Sequence, residues 1–171
     1  MSLKKLVLEV KEDLDFLLIG LVSQFKASKL AYFLNQIDPL SLERVEDLQL
    51  PDFNPKADIS FSRFIFSDEE NHLDYILVAN KEHGNCFFNE LKQFDFLLTV
   101  RGGIDFFDTS DFTRKCMLFQ GVDLVAPIKN EKIKSTISDG SFLTLDEADL
   151  TDEEIHAQKK NLKSEKMKYK K

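Results

Sequence analysis

The chain lacks tryptophan, holds only two cysteines in 171 residues, and has no apolar run longer than Phe16 to Val22. A bilayer-spanning helix needs about 20 apolar residues, so no such span is expected. Cys86 and Cys116 cannot frame a disulfide-stapled domain of this size, and in a cytoplasmic setting, which is the expected one, they stay reduced. Lys4 and Lys5 are followed closely by Glu9, a pattern that does not suit a secretory signal, and Ser2 and Leu3 read equally as native or as cloning residues. Also missing are a nucleophile beside its base, a phosphate-binding loop and a cluster of metal ligands. The expectation is therefore a protein that is not an enzyme and uses no cofactor or metal.

What the chain does have is phenylalanine, sixteen of them, within globular fractions of 43% hydrophobic and 31% charged residues. Each buried ring removes about 150–250 Å² from water, so a Phe-rich core can offset much of the entropy of ordering the chain. Charge is uneven. From His156 onward seven lysines face one acid, which leaves a formal −13 on residues 1–155 out of a total of −7. Such a body repels nucleic acid and anionic membranes; only the lysine-rich tail could touch phosphates weakly, and it has neither Arg nor much aromatic interleaving. The length suits one α+β domain over 1–145 and an acidic-to-basic tail, helical or disordered, over 146–171.

Periodicity supplies the elements. Leu6, Leu8 and Val10 alternate as a short strand, and Phe16 to Val22, apolar throughout, predicts a strand covered on both faces, the candidate for the centre of a sheet. Leu30, Phe33, Leu34 and Ile37 fall on one stripe of a helix over 26–37, which Pro39 ends. Residues 39–57, with three of the four prolines and several acids, resemble a long surface connection. Alternation over 59–66 and 73–78, joined through the polar Ser67 to Asn71, predicts a hairpin. After a loop at 81–85, residues 88–93 form a short helical turn before a strand from Phe94 or Asp95 to Arg101, broken by Gly102-Gly103. Ser110 or Asp111 caps a helix presenting Phe112, Cys116 and Phe119, and Gly121 ends it before a strand over 122–126. Thr151 and Glu154 form a capping box at the head of a tail helix whose stripe, Ile155, Leu162 and Tyr169, is thin.

Candidate chemistry is sparse. Glu90 and Asp95 could form an acid and base pair, yet each has a structural use, Glu90 at a helix start and Asp95 in a turn. Arg63 sits among Ile59, Phe61 and Ile65; it either snorkels to the rim or grips an anionic ligand. These three are the candidate ligand-binding residues. His83 with Cys86 lacks the second ligand pair that a structural zinc site needs. Arg101-Gly102-Gly103 lacks the Lys and Ser/Thr of a phosphate loop, and Asp105, Asp108 and Asp111 do not alternate as calcium ligands do.

The stretch Phe88-Asn89-Glu90-Leu91-Lys92-Gln93-Phe94-Asp95-Phe96 resembles the signature of a small bacterial family of unknown function, the IPExxxVDY family. Glu90 and Asp95 are identical to the pattern, Phe88, Phe94 and Phe96 keep its apolar character, and Asn89 stands where the pattern has proline. Asp15 to Gly20, Leu30 through Asn35, and Asn80-Lys81 are similar to the family's early strand, helix and hairpin, so the resemblance covers residues 5–142. It implies a cytoplasmic α+β protein without an assigned site. The element order further resembles the split β-α-β of ferredoxin-like and ACT-like domains, an antiparallel sheet with helices on one face, here with an added helix and strand. The leading expectation is a non-catalytic interaction or regulatory module that self-associates, as a homo-oligomer or with a protein partner. The alternatives are a small-molecule-sensing ACT-like domain and an enzyme using Glu90 and Asp95.

Overall fold

The computed structural model describes residues 16–49 and 59–129. Strand β1 (Phe16–Ser23) leads to helix α1 (Ala27–Leu34), then β2 (Glu43–Gln49), β3 (Ser60–Asp68) and β4 (Leu73–Ala79). A small hairpin of β5 (Lys81–Glu82) and β6 (Asn85–Cys86) and a 3-10 turn at Asn89–Leu91 precede β7 (Phe96–Gly102). A second 3-10 turn (Ile104–Phe106), helix α2 (Thr109–Cys116) and β8 (Val122–Pro127) follow. Six strands form one sheet in the order β2-β3-β4-β7-β1-β8. Every neighbouring pair is antiparallel, so the fold is α+β as expected.

The Phe16 to Val22 run is an interior strand between β7 and β8, one position in from an edge; β4 and β7 hold the middle. Because side chains alternate along each strand, the sheet has two apolar faces. On one, Ile19, Leu21, Tyr75, Leu77, Leu98 and Val100 pack with Leu30 and Leu34 of α1 and with Phe112 and Cys116 of α2. Both described helices thus lie on this face. On the other, Leu18, Phe61, Ile76, Val78 and Leu97 pack with Leu91 and Phe94 of the stretch after β6. Phe94 lies so close over Gly20 that a β-carbon there would meet its ring, which is why the apolar run carries a glycine in mid-strand.

Four expectations need correction. Residues 43–49, read as part of a surface connection, form the edge strand β2; its charged residues Glu43, Arg44, Glu46 and Asp47 hide the alternation that marks a half-buried strand. Helix α2 is capped by Asp108, not by Ser110 or Asp111: the Asp108 carboxylate accepts the Asp111 backbone N–H at 2.9 Å, which places the helix start at Thr109. Helix α1 is shorter than 26–37, although Ile37 remains buried beyond its end, just before the cis Asp38-Pro39 bond. The 81–85 loop is itself a two-residue hairpin, with His83 and Gly84 both at positive φ (51° and 77°), the backbone such turns require. The strand at Leu6 to Val10, the Thr151 capping box and the lysine-rich tail lie outside the described residues.

Candidate functional site

The stretch around Glu90 and Asp95 is a junction of strand ends. Asp95 gives one carboxylate oxygen to the backbone N–H of Ser23 (3.0 Å) and the other to Lys81 Nζ (2.9 Å). Its backbone N–H donates to Leu21, and its carbonyl accepts from Asn80 and Lys81. Asn80, completely buried, completes the junction: its side-chain amide donates to the carbonyls of Leu91 and Phe94 and its side-chain oxygen accepts from Phe88 N–H. Glu90 stands exposed on the 3-10 turn, with no hydrogen bond or ion pair among the described residues. The two carboxylates therefore do not share a partner or converge on one of the cavities described below.

Arg63 lies on the sheet face away from the helices, opposite Val45 on one side and Val78 on the other. It is half-buried, and its buried Nε has no hydrogen bond. The Thr99 hydroxyl, fully buried between Leu18 and Ile76 on neighbouring strands, shares that condition. Cys86 and His83 belong to the small hairpin, and no group of three or more His, Cys, Asp or Glu side chains among the described residues could hold a metal ion.

The cavity that gathers most functional groups sits on the helix face, at the β3–β4 turn end of the sheet. It has a volume of about 200 Å³ and is walled by Phe106, Phe107 and Phe112, with Tyr75 from β4. The rings are in contact: Tyr75 and Phe107 meet edge-on with centroids 6.1 Å apart, and Phe107 and Phe112 lie tilted at 5.5 Å. Around them stand Asp38, Asp68, Asp108, Asp111 and Lys115. Asp111 is neutralised by Arg114 at 2.6 Å and Lys115 at 2.7 Å, and these cations hold its carboxyl below the usual range. Asp108 is occupied by its cap. Asp68, only 7% exposed, holds Asn71 through its backbone N–H (3.2 Å) and side-chain amide (2.6 Å) and has no cation beside it among the described residues. Burial, and then the charge of Asp68, push the Tyr75 phenol up to about 12, so it remains a neutral hydrogen-bonding group.

A shallower groove adjoins this cavity, sharing Ile37, Asp38 and Lys115 and continuing to Gln36, Leu118 and Phe119. Phe119 meets Phe33 at a tilt, and Phe33 is stacked on Phe25 and meets Tyr32 edge-on, which extends the apolar surface across α1. None of the residues lining the cavity was a candidate from its spacing. The Ser67 to Asn71 turn and the Asp105-x-x-Asp108-x-x-Asp111 acids were each noticed, but only folding brings the two stretches together. No family model, curated protein or solved structure matches this chain.

Proposed function

We propose that this protein is a non-catalytic interaction module that pairs with a second copy of itself through its helix-side surface. The carrying observation is exposed apolar side chains: Phe106 is 87% exposed, Leu118 71%, Tyr32 66% and Met117 45%, with Leu118 lining the groove and Phe106 the adjoining cavity. Single exposed apolar residues are ordinary, but Phe106 and Leu118 stand exposed at adjoining hollows, which favours a partner. The sheet edges favour it less. The β2 edge is charged and β8 ends at Pro127, both of which discourage strand-to-strand pairing. Asp95 is occupied in holding strand ends together and Glu90 stands apart from it, an arrangement that supports shape-keeping over acid–base chemistry.

The strand order supports reading the domain as ferredoxin-like. Strands β1 and β4 run parallel with β7 between them, and β7 and β8 run parallel with β1 between them, so β1-α1-β4 and β7-α2-β8 are the two split units and β2–β3 an insertion at one edge. Membership of the bacterial IPExxxVDY family and a cytoplasmic setting, in which the free thiols of Cys86 and Cys116 persist, complete the proposal. Sedimentation of a Tyr32→Lys, Leu118→Lys double variant tests it: dimer at concentrations where the unmodified chain pairs would exclude this surface.

A second reading, small-molecule sensing, is favoured by one observation: the aromatic-walled cavity under Tyr75. A thermal-shift screen tests it, since a ligand at about a hundredfold excess over its Kd stabilises by about 2.7 kcal/mol.

A further inference from the structure

We infer that the cavity beneath Tyr75 is a binding site for a small protonated primary amine with a short hydrocarbon body. The inference rests on the sensing reading and is independent of self-association.

Three features converge on this ligand. Tyr75 is 3% exposed and lines the cavity, yet its hydroxyl makes no hydrogen bond among the described residues. Although the residue is buried, its hydroxyl oxygen is not sealed off, so a ligand donor in the cavity can reach it. Beside it the Asp68 carboxylate is buried with only the Asn71 amides for company. Buried carboxylates normally have a counter-charge, and none is supplied here by the described residues, because Lys115 and Arg114 are committed to Asp111. The walls are rings, Phe106, Phe107 and Phe112, whose faces attract a cation and whose bulk accepts a hydrocarbon chain.

The alternatives fit less well. An anion would meet Asp38, Asp68 and Asp108. A bare metal ion would find no set of three ligands among the described residues. A neutral apolar molecule would leave both the Tyr75 hydroxyl and the Asp68 charge unanswered. A quaternary ammonium has no N–H to donate to either. The size is limiting as well: a volume of about 200 Å³ corresponds to roughly six or seven waters, so the ligand is small.

The test is amide chemical-shift mapping of the full-length, isotope-labelled chain titrated with n-butylammonium chloride, beside its neutral analogue 1-butanol and tetramethylammonium chloride. The expected result is saturable shifts from n-butylammonium concentrated at residues 68–75 and 104–115, with binding at least tenfold weaker for the other two. Tyr75→Phe, which keeps the ring, should weaken n-butylammonium binding several-fold, and Asp68→Asn at least tenfold. Saturable binding of 1-butanol at the same residues with equal strength would leave the cavity a ligand site but overturn the amine. The absence of saturable shifts with any of the three, or shifts only elsewhere, would overturn both the amine and the sensing reading while leaving self-association untouched.

Discussion

Asp95 accepts the backbone N–H of Ser23 across 72 positions of sequence, at 3.0 Å, and so ties the end of β1 to the approach of β7. The same carboxylate meets Lys81, but that pair is partly exposed and adds little beyond about 1 kcal/mol. The bond to the half-buried N–H matters more, because removing a charged partner leaves the donor unsatisfied. Asp95→Ala is therefore expected to lower unfolding stability by about 1–3 kcal/mol in urea titration. Glu90→Ala, at an exposed position with no bond among the described residues, should stay within about 0.5 kcal/mol. Equal effects at the two sites would contradict the division drawn between them.

Asn80 should be the more sensitive polar residue. Its side chain bonds two carbonyls and one N–H inside the protein, so Asn80→Ala removes three hydrogen bonds at once. A loss of at least about 3 kcal/mol is expected, with exchange protection falling first at Phe88, Leu91 and Phe94. Urea titration with hydrogen exchange measures both.

Gly20 and Phe94 should be energetically coupled. Gly20→Ala alone places a methyl where the ring lies and is expected to cost about 1–3 kcal/mol. Combined with Phe94→Leu, which vacates part of that space, the loss should fall short of the sum of the single variants in a double-mutant cycle. Strict additivity would mean that the ring moves aside freely.

Much of the fold was legible because burial on both faces leaves an unmistakable trace. Phe16 to Val22 had to be an interior strand, and the alternation over 59–66 and 73–78 had to be a hairpin. Strand β2 escaped because an edge strand with one neighbour can be charged and exposed along its length, and alternation then carries no apolar signal. The cavity escaped for another reason. Its residues come from four separate stretches, near 38, 68–75, 106–108 and 111–115, each of which has an ordinary local use in a turn, strand or cap. Tyr75 read only as one more alternating strand residue, and nothing local to it reveals that its hydroxyl has no hydrogen bond among the described residues and lines a cavity.

Alkaline pH should destabilise the protein through two buried groups. Burial pushes the Cys116 thiol from 9.0 up to about 12 and the Tyr75 phenol from 10.0 up to about 12. The unfolded chain loses these protons first as pH rises, so it binds fewer protons than the folded state and stability falls between about pH 9 and 12. Below pH 9 the contribution is complete. Urea midpoints measured at rising pH should drop less steeply in Tyr75→Phe and Cys116→Val than in the unmodified protein, and parallel curves would contradict this. The same burial predicts that Cys116 resists alkylation in the native state while the half-buried Cys86 reacts faster, as mass mapping after brief iodoacetamide treatment would show.

Light scattering of the unmodified full-length chain over a concentration series tests the central claim most directly. Self-association through the surface around Leu118 predicts a weight-average mass that climbs toward twice that of one chain, and that Leu118→Lys returns it to one chain without changing the urea midpoint. A strict monomer at every concentration, or a dimer indifferent to Leu118→Lys and Tyr32→Lys, would contradict it.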